Sequence, residues 1–569
     1  MVPNSAGWRL LVVALLITFF EVFGGLTCAS AAQGSTIEIA KWTRYEAQFT
    51  SSLEYENPVQ EVQVEVGFTS PSGMKQTALA FWDGGKSWKV RFAPNEVGKW
   101  TYRTHSTREA NGGLNAQIGE FTCVPYRGNN PLYLHGPIRV SEDGWHFVHA
   151  DGTPFFWLGD TAWLAALKSE GADWETYLND RRNKGFNVIN IFTTQSRHNP
   201  GDAEGRLAYT GKEKIGIDVG FFRRLDQRMN AINEHGLVVA PALLHDSIVV
   251  PPRRVEAHWY LPELLAEDQL VVLGRYLVAR YGAHQVVWVL GSDGNYQGEK
   301  AEMWKRIGPE VFKYAPERLA SMHQGGLRWC GDEFRREPWY NFIIYQSGHG
   351  DSERELRWLT TGPPSLDWSK EPHLPVINNE PNYEGFIPYG SKTDVPFDAH
   401  AARRACYWSL LVAPTCGVTY GVHGVWYWGV KPELPMQAEA WGVVPPWDEA
   451  MTWPGSTNMK HLKEFFTSLE YWRLLPDPEL VADQPGKDTP QRFIAAARSE
   501  AGDLAVVYIP EGGKVTLRMD RMKSPVKAEW FDPASGWRKP GEQVENIGIH
   551  EFQVSHLRDS LLVLRSMAE

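Results

Sequence analysis

The chain has 569 residues, 43% hydrophobic and 22% charged, a globular balance at a length beyond what one hydrophobic core serves. Its net charge of −11 comes without a basic block, which argues against nucleic acid as a partner. The 25 Trp and 21 Tyr point either to β-rich cores or to sugar rings, whose apolar C–H faces suit flat aromatic surfaces.

Residues 1–31 read as a secretory signal peptide: Arg9 supplies the positive start, Leu10–Phe20 the apolar stretch, and Ala29-Ser30-Ala31 a small-x-small cleavage site. Glu21 interrupts the apolar run too soon for a membrane span, and Thr27 before Cys28 fits a lipoprotein site poorly. No later stretch reaches spanning length, so the expectation is a secreted or periplasmic protein with no membrane span in its mature chain. Cys123, Cys330, Cys406 and Cys416 form no Cys-x-x-Cys pair; Cys406 is near enough in sequence to bridge Cys416, but isolated buried thiols are expected.

Residues 35–128 alternate with period two: Val62, Val64, Val66 and Phe68 share a face, as do Trp88, Val90 and Phe92, and then Trp100 and Tyr102. Asp83-Gly84-Gly85 between two such runs is a hairpin signal, and the segment predicts an N-terminal β-sandwich. From 137 to 465 amphipathic helices alternate with apolar strands, and Gly185, Gly236 and Gly282 stand where a helix C-cap wants a left-handed residue. The predicted strands are Phe155–Asp160, 186–194, 237–246, Val286–Asp293, Leu319–Gln324, Phe342–Gly350, Pro375–Glu380 and Val418–Trp426. Eight such units predict a (β/α)8 TIM barrel, flanked by this sandwich and by a second β-sandwich over 472–569, a multidomain α/β plus all-β architecture. No Gly-x-Gly-x-x-Gly loop follows any strand, so nucleotide binding is not indicated.

Barrel chemistry sits at the C-terminal strand ends. Asp160 and Trp163 follow the first strand, His245 and Asp246 the third, Asp293 and Asn295 the fourth, and His349 the sixth. The seventh contributes Glu380, Tyr383 and Glu384, and the eighth His423, Trp426 and Trp428. Two carboxylates on different strands are the minimum for glycosidic cleavage, and Asp293 with Glu380 best fits that pair. Glu380 ends its strand directly, whereas Glu384 lies in the loop and either braces it or binds a hydroxyl. Asp160 and Asp246 read either as structural anchors or as sugar contacts. Trp163, Trp426 and Trp428 are candidate stacking platforms; His245, His349 and His423 are candidate hydroxyl contacts. His146 and His149 point to opposite faces of a strand and make a poor chelate, so neither metal nor cofactor is expected. No Gly-x-Ser-x-Gly elbow appears either.

The segments FFWLGDTAW, KGFNVINIF, WVLGSDGN, PVINNEPNYEG and GVHGVWYWG, spanning about 138–460, resemble the apiosidase-like glycoside hydrolases, which include glycoside hydrolase family 140. The flanks resemble the β domain of unknown function and the collagen-binding-type module found beside this barrel in relatives. The resemblance implies hydrolysis with net retention, Asp293 as acid/base, Glu380 as nucleophile, and a plant or algal polysaccharide substrate, pectic and apiose-containing among the candidates. Gly-Ser-Asp stands where relatives often show Gly-Gly-Asp, which leaves the acid in place. Two alternatives remain: a non-catalytic carbohydrate-binding protein and a metal-dependent hydrolase.

Overall fold

The computed structural model describes residues 37–567 except 197, 200, 246–264, 316, 392, 436–438 and 555–557. The signal-peptide reading of 1–31 and the candidate Asp246 therefore lie outside the described residues.

The N-terminal region is β-rich: seven strands between Glu38 and Val124 form one sheet system. Lys75–Trp82 and Ser87–Phe92 pair antiparallel across Asp83-Gly84-Gly85, with both glycines at positive φ as a tight turn requires. The alternation places Val64, Val66, Phe68, Trp88, Val90 and Trp100 in one buried cluster, where Phe68 stacks on Phe92 at 4.0 Å.

Eight parallel strands build the centre: β1 (Trp157–Thr161), β2 (Val188–Phe192), β3 (Val238–His245), β4 (Trp288–Gly294), β5 (Ala320–Gln324), β6 (Ile343–Gln346), β7 (Val376–Glu380) and β8 (Gly417–Tyr420). β1 lies between β2 and β8, and the sheet runs from β8 through β1 in sequence order to β7. The Thr419 hydroxyl donates to Asn379 at 2.8 Å, so the two ends meet and the sheet is barrel-like. Burial on both faces explains the continuous Val/Ile/Leu runs that the sequence shows without alternation. Helices α1 (Asp173–Asn183), α2 (Val219–Glu234), α3 (Glu267–Tyr281) and α4 (Glu299–Phe312) connect the early strands and cover them.

Three sequence expectations need correction. Phe155 belongs to a small antiparallel sheet with Phe147–His149, and the first barrel strand starts at Trp157. The eighth strand stops at Tyr420, because His423–Tyr427 turns into a short helix. Gly185 and Gly236 have the expected positive φ, but Gly282 is right-handed, with φ −62°.

Leu474–Ser566 is a second β-rich region, a six-stranded sheet and a two-stranded ribbon around a shared core. All four described cysteines are free and buried, so Cys406 and Cys416 do not pair. Among the described residues no helix is long and apolar enough to cross a membrane.

Candidate active site

The C-terminal ends of the strands open into a cavity of about 340 Å³ whose wall includes both Asp293 and Glu380. Glu380 is the last residue of β7, and only 4% of it is exposed. Its Oε1 accepts a hydrogen bond from the Trp163 indole N–H, and its Oε2 lies 3.6 Å from His349 Nε2. Trp163 stacks on Phe192 at 4.8 Å, so its donor is held in one direction. A carboxylate held at one oxygen by an indole N–H, with an imidazole beside the other, keeps one orientation, which is what a group attacking a single carbon needs.

Asp293 stands near the end of β4, where the pairing to β5 slips twice and Asp293 adopts φ +64°. A left-handed aspartate at the bulge turns the side chain out of the strand's alternation and into the cavity. Gly294 follows it with the Tyr296 ring packed where a Cβ would lie, so this turn has no room for a larger residue. The side chain of Asp293 is partly exposed, and its Oδ2 lies 3.5 Å from His245 Nε2. His245 itself is buried at the end of β3 and packs edge-on against Phe192. It thus touches the acid rather than the open cavity.

Tyr383 lines the cavity with its ring 4.4 Å from His349. Burial first, and then the neighbouring Glu380 and Asp293 charges, hold its phenol well above the usual range. The proton therefore stays on, and the group acts as a hydrogen-bond donor. Trp426 also lines the cavity, and its indole N–H donates to His423 Nδ1 at 3.0 Å. His423 must then carry its proton on Nε2, which points to the Gly442 carbonyl at 3.1 Å. Burial pushes His423 down to about 4, so it is a neutral bracket.

Several candidates do not line the cavity. Asp160 is fully buried, and its Oδ2 accepts from Tyr177 at 2.6 Å and from Arg181 Nε at 2.7 Å. It ties β1 to α1 and does not line the cavity. Oε2 of Glu384 accepts from the Tyr420 hydroxyl at 2.5 Å and from Gly455 N at 3.0 Å, bracing the loop. Trp428 is left-handed and buried, stacked on Trp447 at 4.4 Å, with no face left for a sugar. His423 is buried behind Trp426 and does not line the cavity. Asn295 is half-buried and does not line the cavity either.

Sequence reasoning missed Leu327, Arg354, Glu355, Phe386, Tyr389 and Trp441 on the cavity wall. Phe386 stacks on Trp441 at 5.0 Å to form its aromatic side. Leu327, Phe386 and Tyr389 sit in loops, and Arg354, Glu355 and Trp441 in short helices between strands, where no strand-end position singles a side chain out. Among the described residues, no group of three or more His, Cys, Asp or Glu is arranged to hold a metal ion.

Residues 141–473 match the family model described as "Apiosidase-like, catalytic domain". The chain belongs to this family. Residues 38–107 match a domain of unknown function, and 475–565 a provisionally named collagen-binding domain of a collagenase. No curated protein matches. Among solved structures, one described as a glycoside hydrolase is 23% identical, with TM-score 0.66, covering 78% of this chain and 99% of its own. A glycoside hydrolase family 5 protein from Bacteroides vulgatus is 21% identical, with TM-score 0.66, covering 78% of this chain and 96% of its own. A third, from the same organism and provisionally called a glycoside hydrolase, is 18% identical, with TM-score 0.67 over 94% of this chain and all of its own. At these identities the structures show a shared fold. The apiosidase-like family places the protein among the glycosidases.

Proposed function

We propose that this apiosidase-like protein is an exported (β/α)8-barrel enzyme that hydrolyses a plant or algal polysaccharide with net retention. Pectic, apiose-containing chains are the first substrates to try, because the family is named for apiose release. Glu380 attacks the anomeric carbon while Asp293 gives its proton to the leaving oxygen. In the second step Asp293 takes a proton from water, whose oxygen displaces Glu380 from the sugar. One observation carries this reading: two carboxylates from the fourth and seventh strands line one cavity, and among the described candidates only these two strand-end acids do so.

Their surroundings suit different tasks. Glu380 is buried, takes a hydrogen bond from Trp163 and has His349 beside it, which suits a nucleophile. Asp293 is the more open of the two and has His245 beside it, which suits a group that exchanges a proton with solvent water. Trp426 and Tyr383 offer an aromatic wall and a phenolic donor to the bound sugar. The purified protein, screened on pectic and hemicellulosic oligosaccharides, is expected to release a sugar from at least one. Asp293→Asn should lower that rate by about 10²–10⁴-fold on substrates with poor leaving groups. Activity should also survive exhaustive chelation; its loss would favour a metal-dependent hydrolase.

A further inference from the structure

We propose that the cleft between the N-terminal β region and the barrel is a second saccharide site, which takes an anionic sugar residue of a polymer. The cleft encloses about 360 Å³, much like the catalytic cavity, and shares no lining residue with it. The C-terminal ends of α3 and α4 border it, so it sits at the end of the barrel opposite the catalytic mouth.

Three cations, Lys75, Lys313 and Arg318, reach this wall and none makes an ion pair within the described residues. The fourth, Arg91, is already paired with Glu46 and Asp226. One carboxylate, Glu317, faces them on the same wall. This excess of positive charge stands out on a chain of net charge −11.

Arg318 is the central group. Its Nε donates to the Gly282 carbonyl at 3.3 Å and so caps the end of α3. Helix capping uses one of its five N–H donors, and the half-buried side chain lines the cleft. Burial pulls its guanidinium down to about 10, against the opposing pull of Glu317 and Tyr133. A planar guanidinium with free N–H groups binds a carboxylate or sulfate in bidentate fashion.

The opposite polarity is also present. The Oδ1 atom of Asn95, on the same wall, is buried and accepts no hydrogen bond. A ligand that satisfies both groups carries an anionic group for Arg318 and a hydroxyl donor for Asn95. An acidic sugar has both, whereas inorganic sulfate has no hydroxyl to give. Trp42 closes one side, held at φ +63° by its own N–H to the Pro94 carbonyl and by Gln285 on its carbonyl. A tryptophan kept in this backbone region must be fixed by its surroundings, so the wall is preformed.

The choice of a sugar as ligand rests on the glycosidase reading, but the cation cluster does not. Calorimetry with trigalacturonate, cellotriose and sodium sulfate tests the site on the full-length protein. Trigalacturonate should bind saturably and cellotriose should not. Arg318→Gln should weaken that binding by about tenfold, the loss of one charge-assisted pair. Lys75→Glu, at an exposed position, should weaken it in the same direction and serves if Arg318→Gln does not fold. Glu380→Gln should leave it unchanged, which separates the two cavities. Binding that survives both cleft variants but disappears in Glu380→Gln would overturn the proposal, as would sulfate binding as tightly as trigalacturonate. A failed hydrolysis screen with intact cleft binding would count against the catalytic reading alone.

Discussion

Glu380 and Glu384 are four residues apart in one strand-and-loop segment, yet their surroundings assign them different work. Glu384 spends a single oxygen on Tyr420 and Gly455, and burial raises its carboxyl above the usual range. Glu384→Gln keeps that acceptor, so it should change stability by less than about 1 kcal/mol and leave activity measurable. Glu384→Ala should cost about 1–3 kcal/mol in denaturant unfolding, because it strands a buried phenol and a backbone N–H. Glu380→Gln, equally conservative in shape, should abolish turnover while the protein stays folded. Trp163→Phe removes the donor to Glu380 and keeps most of the stacking on Phe192; a fall in kcat of about 10- to 100-fold is expected. That Glu380 rather than Glu384 faces the cavity was legible in the sequence, because the end of a strand is a defined place. The choice among tryptophans was not. Trp426 and Trp428 are two residues apart, and only the short turn after β8 decides that one faces the cavity and the other packs on Trp447.

The elements carry the site by where they stop. β4 ends in a bulge that leaves Asp293 left-handed, and β8 ends early so that the chain turns back over the mouth. Gly421, one residue past β8, sits against the Tyr383 ring where a Cβ would collide. Gly421→Ala should therefore displace Tyr383, cost about 1–3 kcal/mol, and reduce kcat/KM more than a remote substitution of equal stability cost. Strand number and order were readable from the alternation of apolar runs with amphipathic helices. Strand ends were less so: the run through Val418–Trp426 is mostly apolar, and such a run does not distinguish strand from buried helix. Gly282 was misread for a similar reason. A glycine after a helix signals a left-handed cap, but here the Val278 carbonyl lies where a Cβ would point, which is a separate demand for glycine.

Across the molecule, buried ion clusters lock the three regions together. Asp226 on α2 takes hydrogen bonds from Arg280 on α3 and from Arg91 of the N-terminal region, while Arg280 also reaches Asp83. On the other side Arg403 grips Asp559 of the C-terminal region. None of this is visible in sequence, since each cluster joins residues far apart in the chain. Asp226→Asn leaves two buried guanidinium groups short of a partner and should cost about 3–5 kcal/mol. Against the desolvation that opposes it, the Arg91 and Arg280 charges hold the Asp226 carboxyl below the usual carboxylate range. Its folded value is thus lower than its unfolded one, so the stabilisation is fully present above about pH 4. It is lost as pH falls through the folded value. Wild-type unfolding free energy should drop over that acid window, and Asp226→Asn should show a shallower drop.

The central claim is that Glu380 forms a covalent bond to the sugar. The direct measurement is the anomeric configuration of the first product, read by proton NMR within the first minutes of hydrolysis of an oligosaccharide the enzyme accepts. The account predicts that the newly freed sugar keeps the configuration of the bond that was cut, and that Glu380→Gln yields no such product. A first product of inverted configuration would contradict it, because Glu380 would then be activating water instead of attacking carbon.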